Sequence, residues 1–341
     1  MTPDLLSRVY GCMAGLAIGD AFGMPGQLTP EATRRAHGGP ITDFVAPPPS
    51  DATGHAGLRA GQVTDDTLAM LAVVRSVLRT GGLTREAVAE DLVAWIDETD
   101  GLNLPYVGPS TKRAITALKA GVSPSESGRE GWTNGAAMRV APVGFLHAPD
   151  LEATARAAVE ASYPTHATST ATSGAAAVAC AVAACVSPEN GLEDLIEAAC
   201  RGADLGETQG VDSICPSISR RIRWAVGLVS DGRSEDDHLR DLYDLVGTGM
   251  PTYEIVPSAL AVLVMADGDP VRAIRLAANA GGDCDTLAAI AGAIAGAYRG
   301  IEAFPQEMLD TIEAVNGLEL ERVAREYYQA VQRIRQGGNT P

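Results

Sequence analysis

Helical spacing of apolar residues dominates this sequence, and the alternating pattern of β-strands is nearly absent. In the stretch LTREAVAEDLVAWIDET, Val88, Leu92 and Ile96 fall on one stripe at helical spacing, and Thr84 precedes them as an N-cap. The same spacing predicts helices after Thr64, after Gly282 and over residues 3–18, 110–120, 151–161, 168–186, 191–203, 217–230, 234–246, 256–266 and 304–335. We therefore expect an all-α fold, a single compact domain of many helices over residues 1–341.

The segment AANAGGDCDTLAAIAGAIAGAYRG, residues 277–300, combines an apolar helix with two carboxylates. Asp283 and Asp285 open a stretch that is otherwise almost wholly alanine, glycine and isoleucine. Gly292 and Gly296 would let a neighbouring helix approach this one closely. A carboxylate pair beside a packed interior is costly unless another group neutralises it, so the segment predicts a partner for the two acids.

The charge balance argues against two classes of partner. Lys and Arg total 26 against 43 for Asp and Glu, and the net charge of −17 disfavours direct binding to nucleic acid or to an anionic membrane. The longest unbroken apolar run, residues 175–186, is shorter than the ~20 residues that cross a bilayer. The N-terminus carries Asp4 before a single Arg8, unlike a secretory signal, so we expect a cytoplasmic protein.

The spacing of cysteine and histidine argues against a zinc site. The six cysteines show no CxxC spacing, which is typical of reduced and buried thiols rather than of a disulfide framework. The five histidines are scattered singly, without an HxxxH pair. A metal bound by this chain would therefore have oxygen ligands.

A second acidic cluster, in the motif GQVTDDT, lies far upstream of the first. Thr64, Asp65 and Asp66 stand at the start of a predicted helix, as Asp283 and Asp285 do. Threonine and aspartate are favoured at N-caps and in first turns, so capping alone would account for either cluster. Against that interpretation, each cluster brings more negative charge than a helix end requires.

A meeting of the two clusters would require cations. Four carboxylates and two or three threonine oxygens would then converge, and their repulsion would be untenable without divalent ions. All-oxygen ligation and the number of ligands predict two Mg²⁺ or Mn²⁺ ions.

Two long aperiodic stretches, residues 38–62 and 121–135, are predicted to act as lids, because loops of this length in a compact domain are more often functional than idle.

Six segments of the chain carry recognisable motifs. They are GCMAGLAIGDAFGMPGQ (11–27), GQVTDDT (61–67), GPSTKRAI (108–115), TNGAAMRVAPVG (133–144), SYPTHATSTATSGAAA (162–177) and NAGGDCDTLAAIAGAIAGAYRG (279–300). In this order they resemble the signature segments of the ADP-ribosylglycohydrolase family. The resemblance implies a compact all-α domain with a dinuclear metal site in a cleft. It also implies a hydrolase that cleaves the N- or O-glycosidic bond at the anomeric carbon of ADP-ribose joined to a protein side chain or a related acceptor.

The resemblance implies metal ligands in both acidic clusters. Carried over position by position, they are Thr64, Asp65, Asp66, Asp283, Asp285 and Thr286. The two ions, Mg²⁺ or Mn²⁺, would hold the ribose diol and activate water as the glycosidic bond breaks. If a carboxylate is also required for catalysis, it would come from Asp66, Asp285 or an unmatched residue such as Asp100.

The motif TNGAAMR implies substrate contacts along the cleft. Asn134, Gly135 and Met138 would lie there, with backbone N–H groups available to the diphosphate or the ribose. Arg139, in the same motif, is expected either to join them or to form a buried structural ion pair. Both interpretations stay open on the sequence.

Three further residues have a functional and a structural interpretation. His166 stands where the family has a histidine facing the diphosphate, whereas a lone histidine in an apolar setting is otherwise more often structural. Tyr253 would stack on a base or fill the cleft wall. Ser110 would cap a helix or offer an anion-binding hydroxyl there.

The chain departs from the family pattern at two places. Gln27 stands where these hydrolases usually have a glutamate near the metals; it can hydrogen-bond a ribose hydroxyl but cannot serve as a base. Tyr106 and Val107 stand where some members carry an aspartate. If the site has weakened through loss of the acid, the substitution Gln27→Glu is expected to raise ADP-ribosyl hydrolysis.

These departures leave three functions open. The first is hydrolysis of ADP-ribose from a protein side chain, and the second is hydrolysis of a ribosyl small molecule such as a nucleoside. The third is a non-catalytic relative with a vestigial metal site, since the family's fold also occurs in a lens crystallin. The presence of all six expected metal ligands disfavours the third. The expected partners are ADP-ribose, an ADP-ribosylated protein or a ribosyl small molecule.

Overall fold

Helices form all the regular secondary structure in the part of the chain that the structure describes. The computed structural model describes residues 3–337, and within them no strand occurs. The bridges Thr133–Pro251 and Thr168–Val211 are isolated residue pairs. One contiguous hydrophobic cluster draws on helices from both ends of the chain. The prediction of an all-α domain is confirmed.

The helices are described by their bounds, in chain order. They are α1 Leu5–Gly23, α2 Pro30–His37, α3 Asp65–Thr80, α4 Arg85–Thr99, α5 Pro109–Lys119, α6 Leu151–Ser162, α7 Ser169–Ala184, α8 Leu192–Glu207, α9 Ile218–Leu228, α10 Glu235–Asp241, α11 Thr252–Met265, α12 Pro270–Ala278, α13 Cys284–Arg299, α14 Gln306–Asn316 and α15 Leu320–Arg335. Single 3₁₀ segments occur at Gly101–Asn103, Ala141–Phe145 and Ile301–Ala303, and a π-helical turn, Leu242–Val246, continues α10.

Most predicted helices have the expected position, and one prediction was wrong in its extent. Residues 304–335 form two helices rather than one. Helix α14 ends before Gly317, which has a φ of 62°, and Glu319 has a φ of 50°. Two left-handed residues within three positions cannot continue an α-helix, so the chain turns between α14 and α15.

Two short helices, α2 and α12, were absent from the prediction. Both start with proline directly after a capping side chain: Thr29 accepts from the backbone N–H of Ala32, and Asp269 accepts from that of Arg272. A capping residue followed by proline is a recognised helix start, so the signal was present in the sequence. Helices of eight and nine residues carry too few apolar positions for periodicity to reveal them.

Helices α1 and α13 pack in antiparallel contact through small residues. A Cβ atom on Gly15 would lie 2.1 Å from the carbonyl oxygen of Gly292, so neither helix tolerates a side chain at this crossing. Further along, Gly23 lies against Cys284. The close approach predicted for the glycines of α13 is confirmed. It places the C-terminal end of α1 beside the first turn of α13, where the acidic motif begins.

Among residues 3–337, no helix combines the length and the apolar character needed to cross a membrane.

Candidate active site

The two acidic clusters line one cavity. Its volume is ≈ 390 Å³, within the range of small-molecule sites. Asp65 and Asp66 reach it from the first turn of α3, and Asp283, Asp285 and Thr286 reach it from the start of α13. The starts of α3 and α13 therefore line the same cavity. A groove of ≈ 470 Å³ elsewhere, along α14 and α15, contains none of these residues.

Capping does not account for the clusters. Thr64 precedes α3 and Asp283 precedes α13, yet neither side chain makes a cap hydrogen bond. Gly281 and Gly282 both have a left-handed backbone, with φ values of 77° and 81°, and the N–H of Asp283 donates to the carbonyl of Thr248 at 2.8 Å. The glycines thus turn the chain into α13 so that the acids face the cavity rather than the helix end.

A buried aspartate of α1 holds the start of α3 in place. Asp20 accepts hydrogen bonds from the backbone N–H and the hydroxyl of both Thr64 and Thr67. The Thr64 hydroxyl is 2.7 Å from Asp20 Oδ1, and Thr64 is outside the set of described residues that line the cavity. Burial raises the pKa of Asp20 to about 6 even though four donors stabilise its charge.

Asp65, Asp66 and Asp283 resist ionisation in this cavity. Burial, followed by the charge of Asp285, raises the pKa of Asp65 to about 7. Burial, followed by the charges of neighbouring aspartates, raises the pKa of Asp66 and of Asp283 well above the usual range. The Oδ1 atom of Asp66 is buried without a hydrogen-bond partner. Cations would satisfy this oxygen and relieve the repulsion, so the donor set fits divalent ions.

The ligand set is not closed in this arrangement. Within residues 3–337, no three His, Cys, Asp or Glu side chains are grouped as a metal site. The acids share the cavity walls without converging on one point. The two-ion site therefore stays a prediction that the chemistry of the cavity supports.

His55, in the aperiodic stretch 38–62, is a site residue that the sequence analysis missed. Its Nε2 atom lies 3.1 Å from Oδ2 of Asp285, and its ring is buried. Burial alone would lower the pKa of His55, but the charge of Asp285 raises it to about 9. Burial would raise the pKa of Asp285, but the charge of His55 holds it below the usual range. Among the described residues that line the cavity, His55 and Asp285 form the ion pair.

Comparison with known proteins identifies the family. The family model described as ADP-ribosylglycohydrolase matches residues 1–337. This chain belongs to the ADP-ribosylglycohydrolase family. Membership makes it a glycosidase-type hydrolase, as the sequence motifs predict.

Individual relatives match this chain over 90% or more of its length. The protein YegU of Escherichia coli (strain K12) is 33% identical over 93% of this chain and 95% of its own. The ADP-ribosylhydrolase ARH3 of Bos taurus is 26% identical over 90% of this chain and 89% of its own. A solved structure described as an ADP-ribosylglycohydrolase-related protein complex has a TM-score of 0.70 at 24% identity, covering 96% of this chain and 99% of that one, and shows the same fold.

The TNGAAMR segment forms one wall of the cavity. Asn134, Gly135 and Met138 line it together with Thr133. The side chain of Asn134 donates to Oδ2 of Asp283 at 2.6 Å, so it also orients an acid of the opposite wall. These residues lie where a substrate contact is predicted, and their contact with substrate stays a prediction.

His166 and Arg139 lie behind that wall. Arg139 is buried and donates to the Gly135 carbonyl and to Thr165 Oγ1, and no carboxylate pairs with it within the described part of the chain. Of its two interpretations, the buried structural role is the one that these contacts favour, with carbonyl and hydroxyl acceptors in place of an ion pair. Thr165 Oγ1 lies 2.7 Å from Nδ1 of His166, whose Nε2 lies 3.0 Å from Oγ1 of Thr133. Burial and then the charge of Arg139 lower the pKa of His166 far below its usual range, so the ring is neutral.

The other predicted substrate residues lie outside the cavity lining. Ser110 is buried in the first turn of α5, and its neighbour Thr111 lines the cavity instead. Tyr253 lies beside Arg221, whose guanidinium carbon is 5.8 Å from the ring centroid. Asp100 is an exposed C-cap of α4. Their functional roles are untested.

Of the two departures from the family pattern, one lines the cavity and one lies behind it. Tyr106 is part of the lining, with its ring centroid 6.1 Å from that of His55. Gln27 is buried, and its amide nitrogen donates to the Pro25 and Gly26 carbonyls and to Asp51 Oδ1. The amide nitrogen of Gln27 is therefore occupied by hydrogen bonds within the protein.

Proposed function

We propose that this protein is a metal-dependent hydrolase that releases ADP-ribose from a protein side chain or a related acceptor. The meeting of Asp65 and Asp66 with Asp283 and Asp285 in one cavity supports this proposal more than any other observation. Family membership supports the reaction class. We place the enzyme in the cytoplasm, because the cysteines within residues 3–337 are free thiols.

The proposed metal ligands are the two acidic clusters and their threonines. The residues that would hold Mg²⁺ or Mn²⁺ are Thr64, Asp65, Asp66, Asp283, Asp285 and Thr286. When bound, the ions supply Lewis acidity and offset the negative charge of the cavity. Thr64 would need to exchange its hydrogen bond with Asp20, whereas Asp66 already has an oxygen without a partner.

The chain's own residues would position the substrate and handle the proton. Asp66, whose side chain lines the cavity, would accept a proton from an attacking water. Asp285, held by His55, is the second proposed catalytic carboxylate. Thr133, Asn134 and the backbone of Gly135 would orient the ribosyl group against them. Positioning of this kind lowers the barrier by fixing the reacting atoms before the bond breaks.

A ribosyl small molecule is the second candidate substrate. None of the described residues that line the cavity is lysine or arginine. The cationic side chain of the lining, His55, is already paired with Asp285, so a diphosphate would have to bind through hydroxyl and N–H donors or through the bound cations, whereas an uncharged nucleoside would need no cationic partner. This observation keeps nucleoside hydrolysis as the alternative activity. A non-catalytic role ranks below both, because the cavity keeps its acids.

Titration calorimetry tests the proposal. Metal-free protein is titrated with Mg²⁺ or Mn²⁺, and the loaded protein is then titrated with ADP-ribose. We expect metal binding followed by ADP-ribose binding, and release of ADP-ribose from a modified protein. Absence of metal binding would contradict both hydrolase functions. Metal binding without ADP-ribose affinity, but with turnover of a nucleoside, would replace the first function by the second.

A further inference from the structure

A chain of hydrogen bonds connects Gln27 to the cavity through the segment DATGH, residues 51–55. The nitrogen of the Gln27 side chain lies 3.0 Å from the Pro25 carbonyl, 3.1 Å from the Gly26 carbonyl and 2.9 Å from Oδ1 of Asp51. All three partners are acceptors, so the amide nitrogen and not the amide oxygen must face them. Gln27 is therefore a donor at this position.

Asp51 folds the DATGH segment around its own carboxylate. Its Oδ2 accepts from the backbone N–H groups of Thr53, Gly54 and His55 at 3.1, 2.9 and 2.7 Å. Its Oδ1 accepts from the Thr53 hydroxyl at 2.6 Å and from Gln27. A carboxylate that accepts hydrogen bonds from three backbone N–H groups holds a short loop in one conformation.

The same hydrogen bonds fix the ring of His55. The Thr53 hydroxyl has one proton, which it donates to Asp51. Nδ1 of His55 lies 2.8 Å from that hydroxyl and therefore donates to it, while Nε2 points at Oδ2 of Asp285, 3.1 Å away. The direction of every bond from Gln27 to Asp285 follows from these assignments.

We propose that His55 is a positioning residue for the Asp285 carboxylate, and that Gln27 anchors the DATGH segment that holds His55 there. Gln27 then acts through Asp51 and does not contact substrate. The inference rests on the proposed function only in taking Asp285 as a metal ligand and a catalytic carboxylate. The hydrogen-bonded connection itself is independent of the reaction.

Asp285 needs such a donor because of its neighbours. It shares the cavity with Asp65, Asp66 and Asp283, and their repulsion would turn an unsupported carboxylate away from the common space. A second group that hydrogen-bonds a ligating carboxylate typically contributes about 10- to 100-fold to metal affinity or activity. We expect the contribution of His55 to lie in that range.

The direction of the Gln27–Asp51 bond gives a sharp test. Gln27→Glu places a carboxylate against Asp51 and against two carbonyl oxygens, so it should release the DATGH segment. This expectation is the opposite of the gain in ADP-ribosyl hydrolysis that the family resemblance of the sequence suggests for the same substitution. Adding Asp51→Asn exchanges the donor and the acceptor of this hydrogen bond. The new amide nitrogen at position 51 can donate to the carboxylate introduced at position 27 and to the Thr53 hydroxyl. The amide oxygen can still accept from the three backbone N–H groups. Rescue should be partial, because the two carbonyls still face a carboxylate.

The experiment compares four variants of the full-length chain by Mn²⁺ titration calorimetry and by amide hydrogen exchange. His55→Ala should weaken Mn²⁺ binding by about 10- to 100-fold. Gln27→Glu should weaken it and speed the exchange of the His55 amide, and Gln27→Glu with Asp51→Asn should recover part of both. Gln306→Glu is the matched control, because the exposed Gln306 donates to Asp310 at the same 2.9 Å, far from the cavity.

The outcomes separate this inference from the proposed function. Unchanged or tighter Mn²⁺ binding in His55→Ala overturns the positioning role, and tighter binding would show that His55 competes with the metal. If the unsubstituted protein binds no metal, the proposed function fails, and hydrogen exchange alone decides on the anchor: no faster exchange in Gln27→Glu overturns it. If Gln27→Glu does not fold, Gln27→Met replaces it, because methionine removes the donor without adding charge. This variant is tested by the same Mn²⁺ titration and hydrogen exchange.

Discussion

Nδ2 of Asn134 donates to Oδ2 of Asp283 across 2.6 Å and joins the two walls of the cavity. Replacement of the amide by a carboxylate, Asn134→Asp, would set two acids at this distance. We expect the metal-free variant to be less stable than the parent by about 1–3 kcal/mol at pH 8, because a buried acceptor loses its donor and meets a like charge. Thermal and urea unfolding in the presence of a chelator measure the loss.

The Asn134→Ala variant separates repulsion from simple loss of a hydrogen bond. It should be destabilised less than Asn134→Asp in chelator. With saturating Mn²⁺ the gap between the two variants should narrow, since a cation offsets the added carboxylate. A gap that does not depend on the metal would contradict a cation beside Asp283.

Removal of an acid of the second cluster, Asp283→Ala, should abolish both activity and metal-dependent stabilisation. A ligand at about 100 times its dissociation constant stabilises a folded protein by about 2.7 kcal/mol, and this increment should vanish. In the metal-free variant, relief of the crowding that raises the pKa of Asp283 should offset the loss of the hydrogen bond from Asn134, so its stability should stay near that of the parent. Melting curves with and without Mn²⁺ test both statements. The exposed Asp43 supplies the control Asp43→Ala, and an unchanged metal-dependent shift in Asp283→Ala would rule out its role as a ligand.

The two acidic clusters could be located from the sequence because each signal is local, whereas their meeting was expected only from the resemblance to the family. Helical periodicity located α3 and α13, and the glycines before Asp283 indicated a turn. Asp20 could not be found in this way. It lies within the apolar pattern of α1, and its function depends on the packing of α1 against the start of α3, which no local pattern encodes.

His55 and Gln27 show a second limit. His55 belongs to a stretch without periodicity, and a lone histidine there carries no signal of its partner Asp285. Gln27 was interpreted from its place in a motif, whereas its hydrogen bonds run to Asp51 and to two backbone carbonyls. Which way a polar side chain of a loop turns depends on tertiary contacts.

The stability of the metal-free protein should fall as the pH rises from about 6 to about 8. The pKa of Asp20 is about 6 and that of Asp65 about 7 in the folded chain, against about 3.9 when unfolded. The folded state thus binds more protons in this window, and raising the pH removes them. His55 acts in the same direction, since its folded pKa of about 9 exceeds the unfolded value of about 6.5.

Urea titrations at both pH values in chelator measure this slope. Asp285, whose pKa His55 holds below the usual range, opposes the trend only below about pH 4. Saturating Mn²⁺ should flatten the slope, because cations replace protons in the cavity. Rising stability between pH 6 and pH 8 without metal would contradict the buried, mutually repelling acids.

The hydroxyl of Thr133 should donate a hydrogen bond into the cavity. Arg139 donates to Thr165 Oγ1, so the Thr165 proton is free for Nδ1 of the neutral His166. The remaining proton of His166 is then on Nε2, which donates to Thr133 Oγ1. The proton of Thr133 has no acceptor among the hydrogen bonds of this wall and would be available to a substrate bound in the cavity. Thr133→Val should therefore weaken ADP-ribose binding by about 5- to 10-fold, the equivalent of one hydrogen bond.

Thr133→Ser is the control for that substitution. It keeps the hydroxyl that accepts from His166 and should retain ADP-ribose affinity, whereas Thr133→Val also leaves Nε2 of His166 without an acceptor, which costs about 1–3 kcal/mol of stability. Calorimetric titration of the metal-loaded variants with ADP-ribose, beside thermal melts of the free proteins, distinguishes the two effects. Equal affinity in Thr133→Val and the parent, at lower stability, would show that the hydroxyl supports His166 alone. Weaker binding confined to the valine variant would support a hydrogen bond from the Thr133 hydroxyl to the substrate.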